Sequence, residues 1–329
     1  MNSAEKGSYR KIALASVFGA VGLLYTGILG GWDISPEPKG MGFDETVAAT
    51  VAPEKKNVKP LYRRDPEVVA LNQYYKSIGY KLASVEEIPR IYIKRVPKGL
   101  RDLTSVTERK QIFLRIMLPL ALRLNEEIAA RRDRLMMIQS KKYSGDPISL
   151  PEKEWIDQMM KRYRVTDGSI TALLERIDII PPSLILAQSA EESGWGTSRF
   201  VRKGNALFGQ WAWDEDDGIV PEDREEGKTH VIKSFDSLID SIRAYARNIN
   251  SHPAYAELRA ERAKLREGGD VVRGWDLADT LTKYSERGTE YVESLHAIMR
   301  VNGLDAFDGM SFADGEMPSP PSVLALLDD

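Results

Sequence analysis

Residues 182–198 read Pro182-Ser183-Leu184-Ile185-Leu186-Ala187-Gln188-Ser189-Ala190-Glu191-Glu192-Ser193-Gly194-Trp195-Gly196-Thr197-Ser198. A run of apolar and small residues ends in two adjacent carboxylates and a Gly-Trp-Gly turn. The pattern predicts a helix over 183–192, with the double proline before it as a break. On that helix Ile185, Gln188, Ser189 and Glu192 share one side, at i, i+3, i+4 and i+7. Glu191 points about 100° away. One glutamate can therefore face inward while its neighbour stays wet. A carboxyl at the end of an apolar helix, beside Trp195, loses hydration, and desolvation raises its pKa. A raised carboxyl pKa suits a general acid working near neutral pH, as glycosidic cleavage requires. An ordinary pair of surface carboxylates at a helix end fits these residues too.

Downstream, residues 194–233 are rich in Gly, Trp and turn formers, with β-like runs at 208–213 and 230–235. Trp211 and Trp213 alternate along a strand and share one face, leaving the other to Ala212. Indole rings stack on the C–H faces of sugars, so Trp195, Trp211 and Trp213 are candidate glycan contacts; filling a core is the alternative. Gln188, Asn205 and Gln210 can bond acetamido groups or the acid, or serve as core amides and turn caps. Residues 214–228 carry eight carboxylates, which read equally as a solvated acidic loop. Helical patterns follow at 236–250, 253–265, 275–284 and 289–301. The acidic, Pro/Ser-bearing end reads as a disordered tail.

Upstream, 65–80 has helical spacing, and Ile91–Ile93 form a short extended candidate between Pro89 and Pro97. Ser105 and Glu108 have capping-box spacing ahead of a long helix running to about 139. Pro119 inside it is expected to kink or split it. Further helices are expected at 151–165 and 169–177. Between Arg90 and Lys142 there are 14 Lys or Arg against 5 Asp or Glu. That excess reads as a solvated helix face, or as a patch for anionic lipid or an anionic wall polymer. At the N-terminus, Lys6, Arg10 and Lys11 precede 21 uncharged residues from Ile12 to Trp32. Roughly 20 helical residues cross a hydrocarbon core. The cationic flank stays cytoplasmic and the remainder is exported. No clear cleavage site follows, so an uncleaved signal-anchor is expected over a cleaved signal peptide.

The chain has 329 residues, 42% apolar and 29% charged, with a net charge of −3. This suits a packed protein and gives no field for nucleic acid. Cys is absent, and three His residues, His230, His252 and His296, lack metal-ligand spacing. Thiol chemistry, Cys-ligated metals and a His triad therefore have little to work with, and all three histidines read as structural. No metal or organic cofactor is indicated, and carboxylates are the expected catalysts.

The 182–198 run resembles the bacterial peptidoglycan-hydrolysing glucosaminidases, within them the Bax-like branch (mannosyl-glycoprotein endo-beta-N-acetylglucosaminidase-like domain). Further matching blocks follow in the family's order: Asn205-Ala206-Leu207-Phe208-Gly209-Gln210-Trp211; Phe235-Asp236-Ser237 leading to Ser241-Ile242-Arg243-Ala244-Tyr245; Pro253-Ala254-Tyr255; and Tyr284-Ser285 with Tyr291-Val292. Together they cover about 180–303. Leu118-Pro119-Leu120 and Asn125-Glu126-Glu127-Ile128 look like the same branch upstream. The resemblance implies a mainly α, lysozyme-like α+β catalytic domain with a small β-lobe. It implies hydrolysis of the β-1,4 bond after N-acetylglucosamine, with peptidoglycan glycan strands as partner. By motif match Glu192 is the acid and Tyr284 the active-site tyrosine. Glu191 stands where the family has an apolar or small residue. The second carboxylate does not align; Glu226 and Glu222 are the candidates. Substrate contacts are expected from Gln188, Trp195, Asn205, Phe208, Gln210, Trp211, Trp213 and Tyr291.

The expected organisation is a cytoplasmic segment 1–11, a transmembrane signal-anchor 12–32, a disordered linker 33–62, a helical region 63–150, a catalytic domain 151–303 and an acidic tail 304–329. The catalytic domain is expected in the periplasm, tethered to the inner membrane. A lytic transglycosylase on the same fold and a non-catalytic wall-binding or membrane scaffold are the alternatives.

Overall fold

The computed structural model describes residues 65–84, 87–222, 224, 227 and 229–314. The expected anchor at 12–32, the expected linker, Glu226 and the end of the expected tail lie outside the described residues. The described chain is mainly helical. Ten α-helices occur among the described residues: α1 (Pro66–Ser77), α2 (Val106–Ser144), α3 (Leu150–Arg162), α4 (Ile170–Arg176), α5 (Pro182–Ser193), α6 (Arg199–Gly204), α7 (Leu238–Ser251), α8 (Ala256–Glu267), α9 (Gly274–Ala278) and α10 (Thr289–Asn302). The strands are short: β1 (Glu87–Ile88), β2 (Trp211–Ala212), β3 (Gly218–Ile219), β4 (Val231–Lys233) and β5 (Ser311–Phe312). Tight 3-10 turns at Pro253–Tyr255, Asp279–Lys283 and Leu304–Phe307 complete the frame.

The axis of the fold is α5. Its face residues from Pro182 to Ala190 are all buried, against α2, α9, α10 and the turn Leu304–Phe307. Burying Leu184, Ile185 and Leu186 completely stabilises the fold by roughly 1.5–3 kcal/mol each. Pro182 at the first turn has no N–H to leave unsatisfied. At the other end Gly194 takes the left-handed conformation that stops the helix, φ 57° and ψ 47°. Trp195 and Gly196 also have positive φ. The Ser193 hydroxyl holds this turn by accepting from Gly196 N at 2.8 Å. A Cβ on Gly196 would lie 2.9 Å from the Phe113 ring, so glycine is needed there twice over.

The upstream helices brace α5. α2 begins with the Ser105 hydroxyl accepting from Glu108 N, as the capping spacing predicts. It then runs unbroken through Pro119 to Ser144, which corrects the expected split. Residues 116–122 are buried in the core, and that burial outweighs the single hydrogen bond a proline removes. Asn125 on α2 clamps the lead-in to α5, donating to Ile180 O at 2.8 Å and accepting from Ile180 N at 3.1 Å. Nearby, buried Asp178 accepts from Arg266 and pairs with Arg132 and Arg262, fastening α2 and α8 to the same loop. Much of the basic excess at 90–142 is engaged within the molecule: Arg90 with Glu126, Arg95 with Glu67, Arg132 with Asp178.

β2, β4 and β3 form one antiparallel sheet, with Trp211 opposite Ile232 and Gly218 opposite Lys233. β3 falls inside the acidic segment, where composition hides it. β1 and β5 pair in parallel, Ile88 opposite Phe312. Residues 304–314, read from the sequence as the start of a disordered tail, are therefore folded: Leu304, Phe307 and Phe312 are buried. The extended candidate at 91–93 forms no strand but buries Ile91 and Ile93. One contiguous apolar core runs from Val68 to Phe312.

Candidate active site

The C-terminal end of α5 splits its two glutamates as helical geometry requires. Glu192 turns inward and accepts a hydrogen bond from Tyr291 Oη, on α10, at 2.9 Å. The same Tyr291 hydroxyl accepts from Gln188 Nε2 at 2.9 Å, and Gln188 Oε1 in turn accepts from Tyr245 Oη on α7. Gln188, one turn before Glu192, is thus a fully buried relay between α7 and α10. Tyr284 stacks on Tyr291 with ring centres 5.3 Å apart and planes 10° off parallel. Tyr255 lies against Tyr284 at 5.9 Å, and Phe208 stacks on Tyr245 at 4.1 Å. Four tyrosines therefore surround the carboxyl, with Phe208 backing Tyr245.

This surround sets the protonation state. Burial pushes the Glu192 carboxyl up to about 8; the hydrogen bond from Tyr291 and the charge of Arg287 oppose the rise, and the charge of Glu191 adds to it. The C-terminal end of a helix also disfavours an anion. Burial holds the Tyr245, Tyr284 and Tyr291 phenols well above their ordinary range and Tyr255 at about 12, so all four are neutral at physiological pH. Glu192 as a residue is half-buried, with its carboxyl turned to the enclosed side. Tyr284 is half-buried too, and its hydroxyl has no hydrogen-bond partner among the described residues. Glu191, on the outer side, pairs with Arg287 at 2.7 Å.

The other candidates separate into three places. Trp195 packs edge-on to Phe113 at 5.9 Å, with the Lys110 ammonium 4.4 Å from its ring centre, so it braces α5 against α2. Asn205 is the left-handed cap of α6, and its amide donates to Phe235 O and Asp236 O, tying α6 to the segment after β4. Trp211 and Trp213 stand on the outer face of the sheet, opposite buried Ala212, as their alternation predicts. Trp211 stacks on buried His230 at 4.2 Å, and Trp213 is 57% exposed. Gln210 Oε1 is buried with no hydrogen-bond partner among the described residues. The Glu222 side chain is 76% exposed and pairs with Arg199 on α6 at 3.2 Å. Glu226 lies outside the described residues.

Tyr245, Tyr255 and Arg287 were not singled out as site residues by sequence. Tyr245 had a signal: it follows Ile242 on the apolar face of α7, where a tyrosine hydroxyl needs a buried partner. Arg287 had none, because its partner is 96 residues away. Among the described residues no group of acidic and His side chains could hold a metal ion. No helix among them is long and apolar enough to cross a membrane.

Comparison with known proteins places the sequence in a family. A family model described as mannosyl-glycoprotein endo-beta-N-acetylglucosaminidase matches residues 169–304, from the cap of α4 to just past α10. The protein named Protein bax of Escherichia coli (strain K12) is 36% identical over 209 residues, covering 62% of this chain and 73% of that protein. No solved structure matches.

Proposed function

The chain belongs to the Bax-like glucosaminidase family, and on that premise we propose that it hydrolyses the β-1,4 bond after N-acetylglucosamine in peptidoglycan, with Glu192 as general acid. The observation that carries the reading is the cage: a carboxyl enclosed among neutral phenols, held by one hydrogen bond from Tyr291 and pushed up to about 8 by burial. At neutral pH such a group is protonated. It gives its proton to the glycosidic oxygen as the C1–O bond breaks, and the sugar leaves as an alcohol. Water then adds to C1 and gives its proton to a carboxylate: a second one where water attacks directly, or the Glu192 carboxylate left by the first step where the substrate's own acetamido oxygen has bonded to C1 and is displaced by that water. Glu222→Gln and Glu226→Gln separate those routes.

In this reading Tyr291 and Gln188 orient the acid, and Tyr284, with its unbonded hydroxyl, meets the sugar. Trp211 and Trp213 offer a stacking face further along the glycan. A lysozyme-like arrangement, the helical body and the small sheet flanking a glycan groove, follows from the same assignment. Residues 12–32 are proposed as the anchor, with the catalytic part in the periplasm. Retention of the full-length protein in the membrane fraction after a carbonate wash supports that topology, and a shortened soluble form contradicts it.

The test of the reaction is to incubate the protein with peptidoglycan, reduce with borohydride and identify the released ends by mass spectrometry. Reduced N-acetylglucosamine ends are expected. Anhydro-muramic ends would assign a transglycosylase instead, and no release by a folded protein would favour a scaffold or a partner-dependent enzyme.

A further inference from the structure

We propose that the Glu191–Arg287 ion pair is a positioning pair for the acid: it straps the turn that joins Tyr284 to Tyr291 onto the end of α5 and keeps a balanced charge beside Glu192. The proposal rests on the reading of Glu192 as the acid. The geometry begins with the turn. Residues 285–288 connect the two stacked rings, Tyr284 before and Tyr291 after. Within the turn the bonds are local: Arg287 N donates to Ser285 Oγ at 3.3 Å, and Gly288 N to Ser285 O at 3.1 Å. Gly288 sits at φ 55° and ψ −120°, a conformation that costs side-chain-bearing residues dearly. The bond that reaches from this turn to α5 is Arg287 Nη1 to Glu191 Oε1, 2.7 Å. A glutamate next to the acid is otherwise a liability, since its charge opposes proton release. Paired with Arg287 it becomes the far anchor of the strap.

Charge follows position. From α5, Glu191 faces Glu192 as an anion. From the turn, Arg287 faces it as a cation. From α7, the 253–255 turn, the residue after Asp279–Lys283 and α10 come Tyr245, Tyr255, Tyr284 and Tyr291, all neutral phenols. The opposed pair is thus the charged part of the surround, and removing either member leaves the other uncompensated. The pair is also exposed enough, 44% for the Arg287 side chain and 21% for Glu191, that its share in global stability is small. An effect on the acid should therefore exceed any effect on melting.

The experiment uses the full chain carrying Glu191→Gln, Arg287→Gln, or the exchange of Glu191→Arg with Arg287→Glu. Two readouts are needed. The first is the titration of the Glu192 carboxyl by 13C NMR, assigned by its disappearance in Glu192→Gln. The second is the pH profile of glycan-strand cleavage. Glu191→Gln should move the titration down by about half a pH unit, and Arg287→Gln should move it up by a similar amount. Each single variant should lower kcat about three- to tenfold with KM changed less than about twofold. The exchanged pair should recover most of that kcat. Titration points that stay put in both single variants, or that move in the same direction, overturn the proposal, as does a kcat loss matched by an equal fall in folded fraction. Activity retained in Glu192→Gln would remove the reading of the acid, while the NMR titrations would still decide whether the pair acts on that carboxyl.

Discussion

At the N-terminus of α5 the Asp308 carboxyl accepts three hydrogen bonds, from Ser183 N at 2.8 Å, Ser183 Oγ at 2.7 Å and Gly274 N at 2.9 Å. At the C-terminus of the same helix Glu192 accepts one, from Tyr291. Burial raises the pKa of both, but for Asp308 three donors and the positive end of the helix dipole pull against it. Glu192 has one donor, the negative end of the dipole and an adjacent anion. Asp308 is bonded on all sides and caps two helices, α5 and α9. Glu192 has a single donor. The difference separates a carboxyl that holds the helix in place from one that is kept ready to lose a proton.

The contrast breaks most visibly at Glu192. Glu192→Gln should lower cleavage by about 10²–10⁴-fold, measured on soluble glycan strands, with the fold retained. The same substitution should stabilise the protein at pH 7 by about 1–3 kcal/mol. The sign follows from linkage: the folded pKa, about 8, lies above the ordinary glutamate value of 4.5 that the unfolded chain has. The wild type is therefore unpenalised below the unfolded value and loses stability as pH rises toward 8. Urea melts at pH 4 and pH 7 check this, and the gain should vanish at pH 4.

Asp308→Ala should give the opposite pattern. It uncaps two helices and strands buried donors, costing about 2–4 kcal/mol, while activity per folded molecule holds. Tyr291→Phe sharpens the catalytic side. Losing the donor to the carboxylate should raise the Glu192 pKa further and lower kcat about tenfold, read from the alkaline side of the pH profile. The smallest effect is expected from Trp213→Ala, a KM increase of about two- to fivefold with kcat and melting unchanged.

How much of this the sequence discloses depends on the range of the interactions. The helix 183–192, its Gly194 stop and the divergence of Glu191 from Glu192 are local geometry, and periodicity alone reveals them. The alternation that puts Trp211 and Trp213 together on one face is equally local. Pro119 shows the limit of a local rule, since burial on both sides carries α2 through it. The pairing of Ile88 with Phe312 and the capping of Ser183 by Asp308 join residues far apart in the chain. The acidic, proline-bearing composition beyond them disguises the folded residues 304–314. The tyrosine cage was half legible: Tyr284 and Tyr291 stood out by resemblance, whereas Tyr245 becomes part of the site only through Gln188.

The central claim is that Glu192 acts as a protonated acid because of the cage around it. The pH dependence of kcat/KM for glycan-strand cleavage between pH 4 and pH 10 tests it most directly. Activity that persists through neutrality and falls near pH 8, with Glu192→Gln inactive throughout, is the predicted result. A fall near pH 5, where an ordinary glutamate ionises, or substantial cleavage by Glu192→Gln, would contradict it.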